Sequence, residues 1–208
     1  MLEQNFWPSK ASASKKLELL KPVFQKLKSV HQVLIDRDKK HGWLYSFFSE
    51  RPHVGHLAAA VWLSDEFAME EYGTHKIKSD ELKRGRCDLR IGINKTVFEC
   101  EAKSLWLNIG LKKDFTSKIK DKLDLAKRDA RKLNSIKRLA LCFITPVVHE
   151  SKFDELYSYR DEFIESVIKS SCYDALIWIG VPEKGFDKEE ILCGDFFYPG
   201  LLLAIKEV

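Results

Sequence analysis

The stretch RLALCFIT, residues 138–145, runs six apolar side chains in succession between an arginine and a threonine. A strand that shows one face to water alternates; this one does not, so both of its faces need cover. That demand points to the middle of a sheet with helices packed against it. DALIWIGV, residues 174–181, repeats the pattern. Between the two, residues 153–170 space their apolar side chains as a helix does, and so do residues 111–133, with Phe115, Ile119, Leu123, Ala126 and Ala130 on one side. Upstream, Leu17, Leu20, Phe24, Leu27, Val30 and Leu34 form a helical stripe across residues 12–37, with Pro22 marking a start or a kink. Residues 43–48 are a short apolar cluster, and HVGHLAAAVWLSDEFAMEEYG reads as a helix ending at Gly73. Three strands follow, at 75–78, 86–93 and 95–104, the last two joined by a turn at Gly92-Ile93-Asn94-Lys95. The chain closes with two strand-like pieces about Pro199-Gly200. The expected fold is α/β: an α-β-β-β-α-β core with a mixed central sheet, an N-terminal helical extension and a C-terminal β-hairpin.

A chain of 208 residues is long enough for one sizeable core. The expected division is residues 1–50 as a helical extension packed on the core and 51–208 as the main domain, with the first ten residues a loose arm. The longest apolar stretches, such as LLLAI, are too short to cross a membrane, and MLEQNFWPSK lacks the apolar core of a signal peptide. Five widely spaced cysteines, at 87, 100, 142, 172 and 193, include no CxxC pair, which suits reduced thiols in a cytoplasm and argues against a thiolate zinc site. Neither GxGxxG nor GxxxxGK[ST] occurs, so the glycine-rich nucleotide loops are set aside. The net charge of +4 is small, but from Leu111 to Arg138 eleven Lys or Arg residues face four Asp, a local excess able to attract phosphate.

The chemistry concentrates in RCDLRIGINKTVFECEAKS, residues 86–104. In its second run Val97, Glu99, Glu101 and Lys103 alternate with Phe98, Cys100 and Ala102, and a hairpin can bring Asp88 beside Glu101. Two neighbouring carboxylates repel unless positive charge lies between them. Lys103 supplies some; a divalent cation on both acids, with the Ala102 carbonyl as a further oxygen, supplies more, and such oxygens suit Mg²⁺, with Mn²⁺ able to substitute. A metal so held neutralises charge on a phosphodiester under attack and activates water, while Lys103 orients that water or neutralises the phosphate.

Asp88 followed thirteen residues later by Glu101-Ala102-Lys103, on adjacent strands and ahead of a helix, resembles the PD-(D/E)xK nuclease superfamily, the restriction-endonuclease-like group. The similarity spans about 130 residues, from His53 to Val181, though its specific part is a handful of them; Cys87 stands where the motif's name has proline. The resemblance implies that Asp88 and Glu101 bind Mg²⁺ and that Lys103 assists the nucleophile. Many members carry another acid on the helix before the sheet. Glu66, beside Trp62, Leu63 and Met69, is the first choice here, Glu70 the second and Glu50 the third. Glu99 shares the face of Glu101 but sits roughly 6.5 Å back along the strand. For nucleic-acid contact the basic helix offers Lys112, Lys113 and Lys118 close to the scissile bond, and Lys120, Lys127 and Arg131 along the backbone. His53 and His56 read as helix-start or packing residues, Cys100 and Trp178 as core, and Trp106 as a border of a substrate groove.

The function expected is Mg²⁺-dependent hydrolysis of DNA by an endonuclease of restriction or structure-directed type. Double-stranded or branched DNA is the partner, with a homodimer or two binding events needed to cut both strands. The alternatives are a catalytically inactive protein of the same fold that serves as a nucleic-acid or protein interaction module, and an RNA-directed nuclease.

Overall fold

The computed structural model describes residues 6–8, 15–38, 49–78, 81–111, 114–170, 172–180 and 192–208. The apolar cluster at 43–48 lies outside them. Four strands form one half of the sheet: β2 (Phe67–Lys78), β3 (Glu81–Ile93), β4 (Thr96–Asn108) and β5 (Arg138–His149). β2, β3 and β4 make an antiparallel meander, whereas β4 and β5 run parallel from Glu99↔Arg138 to Asn108↔Val147. A parallel pair needs a crossover. Helix α4 (Phe115–Ala130) supplies it, its start capped by Asp114, which accepts from the Ser117 N–H at 3.1 Å.

β5 behaves as RLALCFIT demands: every residue from Leu139 to Val148 is buried. Its other neighbour is β9 (Gly200–Glu207), and the sheet continues through β6 (Ala175–Gly180) to β1 (Phe6–Pro8), giving the order β1-β6-β9-β5-β4-β3-β2. α5 (Leu156–Lys169), after a 3-10 turn at Glu150–Glu155, links β5 to β6. The sheet is thus mixed, with N-terminal helices ahead of it and a C-terminal hairpin, β7 (Leu192–Cys193) with β8 (Phe196–Phe197). That hairpin turns at Gly194-Asp195. Pro199-Gly200 instead leads into β9, which inserts between β5 and β6, antiparallel to both.

Two further expectations change. Phe6-Trp7-Pro8 pair with Ile177-Leu176-Ala175, so part of the presumed loose arm is an edge strand, a place where proline is tolerated. The helix expected to reach Gly73 stops much earlier: α3 spans Glu50–Trp62, and residues from Phe67 onward are strand. The helical spacing of Val54, Leu57, Ala58 and Val61 ends at Trp62. Asp65 then takes a left-handed φ of 57°, a conformation that short polar side chains accept, and reverses the chain into its pairing with β3.

Pro22 marks a break. A short α1 (Lys15–Glu18) precedes α2 (Lys21–Asp38), with the proline in the first turn, where its missing N–H costs nothing. Leu17, Leu20, Val23, Phe24 and Leu27 join α3 and the sheet in one apolar core. His53 and His56 are packing residues. His53 stacks on Phe143 at 5.2 Å, and His56 meets His31 at 6.4 Å. Among the described residues no helix is long and apolar enough to cross a membrane.

Candidate active site

The site begins where two strands part. β3 and β4 pair from Ile93↔Thr96, across a turn in which Asn94 and Lys95 take left-handed φ values, as far as Leu89↔Cys100. The next opposed positions are Asp88 and Glu101, and there the backbone ladder ends. Instead of a β3 carbonyl, the Ala102 N–H meets the Asp88 side chain, donating to Oδ2 at 2.8 Å. One carboxylate thereby stitches the strands together at the point where they diverge.

Glu101, 3 % exposed, lies within that junction. Its Oε1 is 2.6 Å from Nζ of Lys76, a residue of β2. Burial drives the Glu101 carboxyl up to about 7; Lys76 opposes the rise and Asp88 adds to it. Lys103 donates from Nζ to the Ala102 carbonyl at 2.7 Å and stands 3.4 Å from Oδ2 of Asp129 on α4. Burial alone would raise Asp129, but Lys132 and Lys103 outweigh it and leave its carboxyl below the usual range. Asp88, Glu101, Ala102 and Lys103 are thus neighbours in one junction.

The acids near the helix sort differently. Glu66 sits in the turn after α3, because the helix ends before reaching it. Glu70 lies on β2, its carboxylate packed over Gly55. Glu50, the third choice, opens α3. It feels Lys103, Asp88, Lys122 and Glu71, and burial, the largest influence, pushes its carboxyl up. Glu50, Glu70, Glu71 and Asp88 line a cleft of about 340 Å³ together with Arg51 and Arg86. Glu71 holds a left-handed φ of 50° opposite Asp88 and is clamped by both arginines, lying 3.5 Å from Arg51 Nε. Glu99 lies two residues back from Glu101 on the same face of β4. It is buried beside its cross-strand partner Arg90 rather than facing solvent, and burial raises its carboxyl.

On α4 the buried stripe Ile119, Leu123, Ala126 and Ala130 divides the charged residues into two flanks. At about 100° per residue, Lys118 and Lys122 share the flank of Asp129, toward Lys103, while Lys120, Lys127 and Arg131 fall on the other. Lys112 and Lys113 lie outside the described residues. Trp106 is 52 % exposed and meets Phe196 edge-on at 5.2 Å; Trp178 and Cys100 are core.

Lys76 and Lys122 are the residues that the sequence reading missed. Lys76 lay on the strand expected at 75–78, but its reach across β3 to Glu101 depends on the sheet pairing and is not a local signal.

The donor chemistry at the junction fits a hard divalent cation. Two carboxylates and a carbonyl offer oxygens, and two of these groups already face ammonium charges, Lys76 at Glu101 and Lys103 at Ala102. Among the described residues no three His, Cys, Asp or Glu side chains converge closely enough to hold a metal ion by themselves. No known protein family, curated protein or solved structure matches the chain.

Proposed function

We propose that this chain is a divalent-cation-dependent nuclease of the PD-(D/E)xK kind that hydrolyses phosphodiester bonds in DNA. The observation that carries the reading is the junction itself: Asp88 bonded to the Ala102 N–H, Glu101 buried beside it, and Lys103 on the Ala102 carbonyl. Asp88, Glu101 and the Ala102 carbonyl would hold Mg²⁺ or Mn²⁺. A bound ion supplies charge neutralisation at the scissile phosphate and a water of lowered pKa.

The chain's own residues do the rest. Asp88 keeps its orientation because one oxygen is tied to the backbone of the next strand. Lys103, braced by Asp129, presents N–H donors to a phosphate oxygen or the attacking water. Glu50 takes the place first assigned to Glu66; a carboxyl raised by burial and set beside Lys103 suits it to accept the proton that water loses. Lys118 and Lys122 flank the same side and meet the phosphate backbone, while cutting both strands takes two copies or two binding events.

A second reading, a catalytically silent interaction module, draws on the Lys76–Glu101 ion pair and on the lack of a three-ligand cluster among the described residues. One experiment separates the two. Supercoiled plasmid, linear duplex, branched duplex and an RNA hairpin are incubated with the protein in Mg²⁺, Mn²⁺ or EDTA. The nuclease reading expects DNA to be cut with either cation and spared in EDTA. Binding without cleavage under every condition favours the module, and cleavage confined to RNA changes the substrate class.

A further inference from the structure

Lys76 belongs to β2 and Glu101 to β4, with β3 between them. The lysine crosses the intervening strand at Gly85. A Cβ on that residue would stand 2.8 Å from Lys76 Cγ and 3.0 Å from Cδ, so the missing side chain is the space through which the lysine stem passes. The backbone beneath is pinned as well: Lys76 bridges to Leu133, and the Ile77 N–H donates to the Lys132 carbonyl at 2.7 Å. The Lys76 and Glu101 side chains are only 14 % and 4 % exposed, so solvent screens their 2.6 Å contact weakly.

Charge arithmetic gives the contact a meaning. Asp88 and Glu101 contribute two negative charges, Lys76 and Lys103 two positive ones. In the metal-free chain the two ammonium groups together carry the charge of one divalent ion.

We infer that Lys76 is an internal counter-ion that occupies Glu101 in the metal-free protein and must withdraw from it for a divalent cation to bind. The inference rests on the metal-dependent reading above. Lys76 holds the buried carboxylate compensated while the site waits, and it sets a threshold: a cation gains Glu101 only by displacing an ammonium group already there. Gly85 is the structural permission for this arrangement.

The test is Mn²⁺ binding without DNA, followed by the electron paramagnetic resonance signal of the free ion at pH 8. It compares the unaltered protein with Lys76→Met, Lys76→Arg, Gly85→Val and Asp88→Ala, and circular dichroism checks that each is folded. Lys76→Met is expected to bind at least five-fold more tightly, because a competing positive charge is gone. Gly85→Val, which keeps the lysine but obstructs its path, should move in the same direction, giving a second route if the first variant folds poorly. Lys76→Arg, which keeps the charge, should stay within about two-fold of the unaltered protein.

Unchanged or weaker binding in both Lys76→Met and Gly85→Val overturns the counter-ion role while leaving the metal site standing, provided that Asp88→Ala loses the ion. No binding by any of the proteins overturns the metal reading and the counter-ion role together.

Discussion

Replacing Glu101 by glutamine should stabilise this protein at alkaline pH even as it removes a proposed metal ligand. The folded chain protonates Glu101 near 7, against an ordinary value of 4.5, because burial opposes the charged form. Folding therefore takes up a proton between these two values. This contribution is fully present below pH 4.5 and is lost as pH rises through 7. With about 1.4 kcal/mol per pH unit, the raised value of Glu101 destabilises the fold by about 1 kcal/mol at pH 5, where the folded group stays protonated, and by about 3 kcal/mol at pH 8, where it ionises. Glutamine avoids that cost. In the variant Lys76 has the same neutral glutamine beside it at both pH values, so that penalty does not change with pH and cancels from the comparison. Thermal unfolding in EDTA should show the gap in Tm between Glu101→Gln and the unaltered protein widening by roughly 5–10 °C in the variant's favour from pH 5 to pH 8. A gap that does not change with pH would refute the reasoning, since it would mean that the junction ionises Glu101 without cost.

Other outcomes follow from particular side chains. Burial lowers His31 to about 3 and His56 to about 4, from 6.5, so both imidazoles stay neutral in the folded state while the unfolded chain protonates them. In the Glu101→Gln background, urea unfolding should show stability falling as pH drops below 6.5, by about 2 kcal/mol per histidine at pH 5; a flat profile between pH 7 and 5 would contradict the burial of these rings. Glu50→Gln should slow cleavage at least about a hundred-fold, whereas Glu66→Gln should leave the rate within about two-fold, a difference that initial rates on plasmid would reveal. Reversing Lys118 and Lys122 to Glu should weaken duplex binding and flatten its dependence on salt. The same change at Lys120, Lys127 and Arg131 should do less, as measured by fluorescence anisotropy across a salt series.

How much of this fold is legible in the amino-acid sequence depends on how local each signal is. RLALCFIT declares a central strand because no other placement buries six consecutive apolar residues, and β5 is buried throughout. The β3–β4 hairpin was legible from alternation and from Asn94-Lys95, so Asp88, Glu101 and Lys103 could be brought together on paper. What misled was FAMEEYG, the first part of β2. Its Met, Ala and Glu residues favour helix, and only pairing with β3 from Phe67↔Gly92 to Lys78↔Glu81 makes it a strand.

That misreading put Glu66 and Glu70 on a helix; Lys76 lay on an expected strand, but its contact with Glu101 across β3 was not legible. The insertion of β9 beside β5 was equally illegible, because LLLAI states that it is buried but not against which neighbour. Glu50 was recoverable only as one acid among three. Its closeness to Asp88 and Lys103 depends on the angle at which α3 meets the sheet, which no local pattern encodes.

The most direct test of the central claim is the single-turnover cleavage rate of duplex DNA in Mg²⁺ by the unaltered protein, Asp88→Ala and Lys103→Ala, each shown to be folded by circular dichroism. Cutting by the unaltered chain that stops in EDTA is expected, with a loss of at least about a hundred-fold in each variant. Variants that cut as fast as the unaltered chain, or an unaltered chain that cuts nothing with any cation, would contradict the claim.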